Sequence, residues 1–116
     1  MLIGVPKEIK QREYRVGMTP GAVREAVAHG SSVLVETNAG GAIDLPDDAY
    51  RAAGAAIAPD AASVWRDAEM VVKVKEPLPA EYALLRRDQV LFTYLHLAAD
   101  KTQAETLIAA NNIAIA

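Results

Sequence analysis

The 116-residue chain contains no cysteine, which excludes disulfide scaffolds, thiolate zinc sites, iron–sulfur clusters and thiol catalysis together. It has no excess of positive charge. Twelve Lys+Arg stand against 15 Asp+Glu, a formal charge of -3, which leaves no electrostatic footprint for nucleic acid or an anionic membrane. Aromatic residues make up only 5%, so the core must be built from small side chains, chiefly alanine and valine. No apolar run approaches the ~20 residues of a spanning helix. The amino terminus, MLIGVPKEIK, meets charge too early for a signal peptide, so a cytoplasmic protein is expected. Nothing matches GxGxxG, a P-loop or a GxSxG elbow, and Gly40-Gly41 alone reads as a turn. Asp44, Asp47 and Asp48 crowd one polar loop without metal-ligand spacing, and are read as solvated; no metal site is expected.

What is present is a domain's worth of patterned sequence. Hydrophobic residues reach 52%, enough for one core in residues 1–116. Apolar runs at 2–5, 32–36, 56–58, 70–75, 89–94 and 113–116 read as strands. Helical segments fall between them: Thr19-Pro20 to about His29, stopped by Gly30; a short helix opened near Pro46; one capped by Asp60; 79–87; and one opened by Asp100 with Gln103 at capping-box spacing. This alternation predicts a three-layer α/β fold, a mostly parallel sheet with helices on both faces, Rossmann-like or flavodoxin-like. The terminal IAIA reads as an unfinished buried strand, so the chain is expected to be the front part of a longer protein.

Three polar features follow the carboxyl ends of predicted strands, where ligands bind in open parallel sheets. The first strand empties into Lys7, Glu8 and Arg15; the MVVKVK strand ends in Lys73 and Lys75, expected to share a face; the QVLFTY strand ends in Leu95-His96. If these strands are neighbours, an arginine, a lysine and a histidine converge on a crevice suited to a small carboxylate with an adjacent carbonyl or amine. Each has a plainer reading: Arg15 as a solvated surface charge, the lysine pair as edge-strand protection, His96 as a packed core residue. His29, near a helix carboxyl end, is assigned no chemistry.

The segments MLIGVPKEIKQREYRVGMTP, VLVETNAG, VWRDAEMVVKVKEPLPAEY and VLFTYLHLAADK, in this order and at near-constant spacing, resemble the alanine dehydrogenase/pyridine nucleotide transhydrogenase amino-terminal family, on its bacterial alanine dehydrogenase side. The chain departs from that pattern at 41–45 and at Ser31, both away from the proposed crevice. The resemblance implies NAD-dependent, reversible oxidative deamination of L-alanine to pyruvate and ammonium. It puts substrate binding on Arg15 and Lys75 and general acid/base catalysis on His96. It also implies that NAD is bound mainly by a Rossmann domain absent from this chain, that the enzyme is a homo-oligomer (a hexamer), and that the isolated piece is inactive. Two other readings remain: the transhydrogenase α subunit, which shares the opening IGVPKE, and a stand-alone binding or regulatory module.

Overall fold

The computed structural model describes residues 1–93 and the backbone of Ile113–Ile115. Six strands form one wholly parallel sheet: β1 (Leu2–Val5), β2 (Ser32–Glu36), β3 (Ala56–Ala58), β4 (Met70–Val72), β5 (Val90–Phe92) and β6 (Ile113–Ile115). Their order across the sheet is β3-β2-β1-β4-β5-β6. The chain moves outward one way from β1 and then returns to place β4 on β1's other side. Between the carboxyl ends of β1 and β4 the topology therefore leaves the crevice of a doubly wound sheet.

Among the described residues, four α-helices lie between the strands: α1 (Pro20–Ala28), α2 (Asp47–Ala52), α3 (Ala61–Asp67) and α4 (Pro79–Tyr82). Local chemistry sets their starts. Thr19 Oγ1 accepts the Ala22 N–H at 3.2 Å, Pro20 occupies the first turn of α1, and Asp60 accepts from the Ser63 N–H at 2.8 Å. Gly30 stops α1 with φ +91, as expected from its position. Period-two alternation then sorts the side chains to two faces. Ile3, Val5, Val33 and Val35 pack with Val23 of α1 and Tyr50 of α2 on one face. Val71 and Leu91 pack with Trp65 and Ala68 around α3 on the other. The predicted three-layer arrangement is present.

Two elements are shorter than the sequence predicts, and both shortfalls have a visible cause. The strand expected over 70–75 ends at Val72: the Lys73 N–H still bonds the Phe92 carbonyl, but a carboxylate from outside the sheet takes the N–H groups of Val74 and Lys75, as described below. The helix expected over 79–87 stops at Tyr82. The Arg86 guanidinium donates instead to the carbonyls of Trp65 and Ala68 at the end of α3, holding 86 against that helix rather than in α4. Asp88 then turns with φ +63 into β5. The helix expected from Asp100 lies outside the described residues. Among the described residues no helix is long and apolar enough to cross a membrane.

Candidate functional site

β1, β4 and β5 are adjacent, so the segments following them meet at one end of the sheet. Beyond β1 the chain passes the fully buried Pro6 and turns Glu8 inward to 6% exposure. One Glu8 oxygen accepts from Lys73 Nζ at 3.1 Å and from the Lys75 N–H at 3.1 Å; the other accepts from the Val74 N–H at 3.0 Å. Lys73 also lies 3.3 Å from Glu81 in α4, whose other oxygen accepts the Leu78 N–H at 3.0 Å. A buried ammonium is tolerated only when paired, and here two carboxylates share it. Burial pushes the Glu81 carboxyl above its ordinary value, while the Lys73 ammonium pulls the other way.

These contacts correct two expectations about the lysine pair. β4 is an interior strand, so Lys73 and Lys75 do not protect an edge. Nor do they share a strand face, because the strand ends before them. Lys73 goes into the Glu8–Glu81 cluster, whereas Lys75 is half-buried and lies within electrostatic reach of Glu13, whose carboxyl it helps to hold down. The Lys75 carbonyl accepts from Thr93 Oγ1, just past β5, at 2.9 Å. Lys10 pairs with Glu76 beside it.

Arg15 sits on the loop between β1 and α1, its side chain exposed. Its Nε and Nη2 clasp the two Glu13 oxygens at 2.9 and 2.8 Å, and its N–H adds a third bond at 3.0 Å. This fork is the main reason the Glu13 carboxyl is lowered to about 2, with Lys75 adding a smaller pull. The Arg15 guanidinium thus holds this carboxylate directly, on the loop that follows β1, while Lys75 follows the adjacent strand β4. The far end of the loop is pinned by the Tyr50 hydroxyl, which donates to the Met18 carbonyl at 2.7 Å.

Of the three residues singled out from sequence, Arg15 and Lys75 follow adjacent strands at the same end of the sheet, and His96 lies outside the described residues. Sequence reasoning passed over Glu8 as a clamp, Glu13 as the partner of Arg15, and Glu81 and Thr93 altogether. Glu81 had a local signal, since it stands three residues after the residue preceding Pro79, at capping spacing. Its pairing with Lys73 had none. An open depression of about 560 Å3 lies elsewhere, among Asn38, Asp44, Asp47 and Arg51; its three acidic side chains suit a small carboxylate poorly. Asp47 there is held by the Thr37 hydroxyl and the Asn38 N–H at 2.6 and 2.9 Å, which lowers its pKa.

Comparison with known proteins agrees with this architecture. The chain is 56% identical over 107 residues to the alanine dehydrogenase of Bacillus subtilis, covering 92% of this chain and 28% of that protein. It is 46% identical over its whole length to the alanine dehydrogenase of Mycolicibacterium smegmatis, covering 31% of it. The chain thus spans about a third of the length of these relatives. Among solved structures, an L-alanine dehydrogenase superposes over the whole chain with a TM-score of 0.98 and 53% identity, the chain covering 32% of it. A transhydrogenase from Sinorhizobium meliloti superposes with 0.93 and 25% identity, the chain covering 34% of it. Residues 4–116 match the family described as "Alanine dehydrogenase/PNT, N-terminal domain", and the chain belongs to it, standing nearer to the dehydrogenases than to the transhydrogenase.

Proposed function

We propose that this chain forms the substrate-binding part of an NAD-dependent alanine dehydrogenase, which interconverts L-alanine with pyruvate and ammonium. The observation that carries the reading is the placement of the Arg15 loop, which follows β1, and of Lys75, which follows β4, at the carboxyl ends of two adjacent strands. A substrate carboxylate entering there finds the same two cations. Arg15 holds it through its two-pronged fork, and Lys75 polarises the substrate oxygen that gains charge as the carbonyl is attacked. His96, carried by the segment after β5, is the proton donor and acceptor, its ordinary pKa being suited to work near neutrality.

The described residues do not fit the cofactor. β1 runs into Pro6-Lys7-Glu8, not a glycine-rich turn, and α1 starts only at Pro20, so no helix amino terminus follows the strand closely enough to cradle a pyrophosphate. NAD is therefore assigned to the larger part of the relatives' length that this chain does not span. The same reading implies a cytoplasmic homo-oligomer.

The test is NADH formation from L-alanine by a full-length enzyme carrying these 116 residues, beside the 116-residue chain alone. Activity is expected in the first and none in the second. A full-length protein inactive with L-alanine and with pyruvate plus ammonium would end the proposal.

A further inference from the structure

The backbone of Lys75 is not held by the sheet. The last ladder bond on this side runs from the Lys73 N–H to the Phe92 carbonyl at 3.1 Å. Past it, the Lys75 N–H is taken by the Glu8 side chain, and the Lys75 carbonyl by the Thr93 side chain. Both side chains are buried, at 6% and 5% exposure, and they come from the segments following the two strands that flank β4. The MVVKVK sequence has the pattern to continue as strand through 75. Had it done so, period-two alternation would carry Lys75 to the same face as the buried Lys73. Instead Glu8 draws three donors from three successive residues, Lys73, Val74 and Lys75, onto its two oxygens. That contact draws the chain off the ladder before Lys75.

We infer that Glu8 and Thr93 are positioning residues, which clamp the N–H and the carbonyl of Lys75 so that its ammonium faces the substrate crevice. The inference rests on the proposed role of Lys75 in substrate binding. A carboxylate is required at position 8. An amide has only one acceptor oxygen, so in Glu8→Gln an N–H of Val74 or Lys75, or the Lys73 ammonium, loses its acceptor in either orientation of the amide. Thr93→Val keeps the shape of the side chain and deletes a single bond. Displacing a substrate-binding group by about 1 Å can cost about a hundredfold.

The experiment is a pair of double-mutant cycles in a full-length enzyme carrying this chain, read as kcat/KM for pyruvate. Glu8→Gln is expected to lower it roughly ten- to a hundredfold, with the same division between KM and kcat that Lys75→Ala produces. In a Lys75→Ala background, Glu8→Gln and Thr93→Val should each change it less than about twofold, since residues acting through Lys75 lose their effect with it. Amide exchange at Val74 and Lys75 reads the clamp without turnover and should be at least tenfold faster in Glu8→Gln. If Glu8→Gln does not fold, Thr93→Val alone completes the cycle. A loss undiminished in the Lys75→Ala background, or wild-type kcat/KM in the folded single variants, overturns the positioning role and leaves the substrate-binding reading standing. Unchanged kcat/KM in Lys75→Ala itself overturns that reading, and the inference with it.

Discussion

Gly17 lies directly on the backbone of Val72: a Cβ placed on Gly17 would come within 2.4 Å of the Val72 carbonyl oxygen. The loop that carries Arg15 is therefore docked, backbone to backbone, on the end of the strand that leads to Lys75. This contact fixes the Arg15 loop against the carboxyl end of β4, the strand that Lys75 follows.

Gly17→Ala should push the Arg15 loop off the end of β4. The obstacle is backbone rather than the tip of a flexible side chain, so the loop must move. A destabilisation of about 1–3 kcal/mol is expected by denaturant unfolding, with a raised KM for pyruvate in the full-length enzyme. Wild-type values of both would mean that the loop's docking is not tight in solution.

Lys73→Met removes the one ammonium shared by Glu8 and Glu81, leaving buried carboxylates without a counter-charge. The expected loss is roughly 3–5 kcal/mol near neutral pH. The pH dependence has a definite sign. Burial already raises the Glu81 pKa, so the folded state binds this proton more tightly than the unfolded chain. That contribution is full below the ordinary carboxylate value and is lost as pH rises through the raised one. Without Lys73 the rise is larger, and the variant should recover part of its stability on acidification toward pH ~5. Thermal unfolding across pH checks this; a deficit that stays constant with pH would show that Glu81 does not feel the loss.

Arg15→Lys keeps the charge and loses the fork. Binding of pyruvate should weaken by about 1.5–3 kcal/mol, the worth of a hydrogen bond to a charged group, and Glu13 should titrate well above about 2. In the wild type, the Glu13 pair stabilises the fold above the ordinary carboxylate value, and that contribution fades as pH falls toward about 2. Because the Arg15 side chain is exposed, it is worth no more than about 1 kcal/mol. An unchanged KM for pyruvate would make Arg15 a surface charge.

His96→Gln tests the acid/base proposal. The amide keeps polarity and reach without a proton that titrates near neutrality, so kcat should fall roughly 10²–10⁴-fold and one limb of the pH–rate profile should vanish. Melting temperature should hold. If stability drops while the rate and its pH profile survive, His96 is a packing residue.

Much of the fold could be read along the chain because its causes are local. Thr19-Pro20, Gly30 and Asp60 punctuate helices through contacts within a few residues, and the β-branched runs at 32–36 and 70–72 declare themselves as strands. Arg15 and Lys75 could be nominated for the same reason, since position at a predicted strand end is a local property. What local pattern could not supply was where β4 stops or what holds the backbone of Lys75. Those were decided by Glu8, 65 residues before Lys73, and by Thr93, 18 residues after Lys75. Nor could it tell that Lys73, two residues before Lys75 in the same KVK, is a buried structural cation. A carboxylate or hydroxyl acquires such a role only when the strand order β1-β4-β5 brings three distant chain segments together in a dry place, and no periodicity in the sequence encodes that meeting.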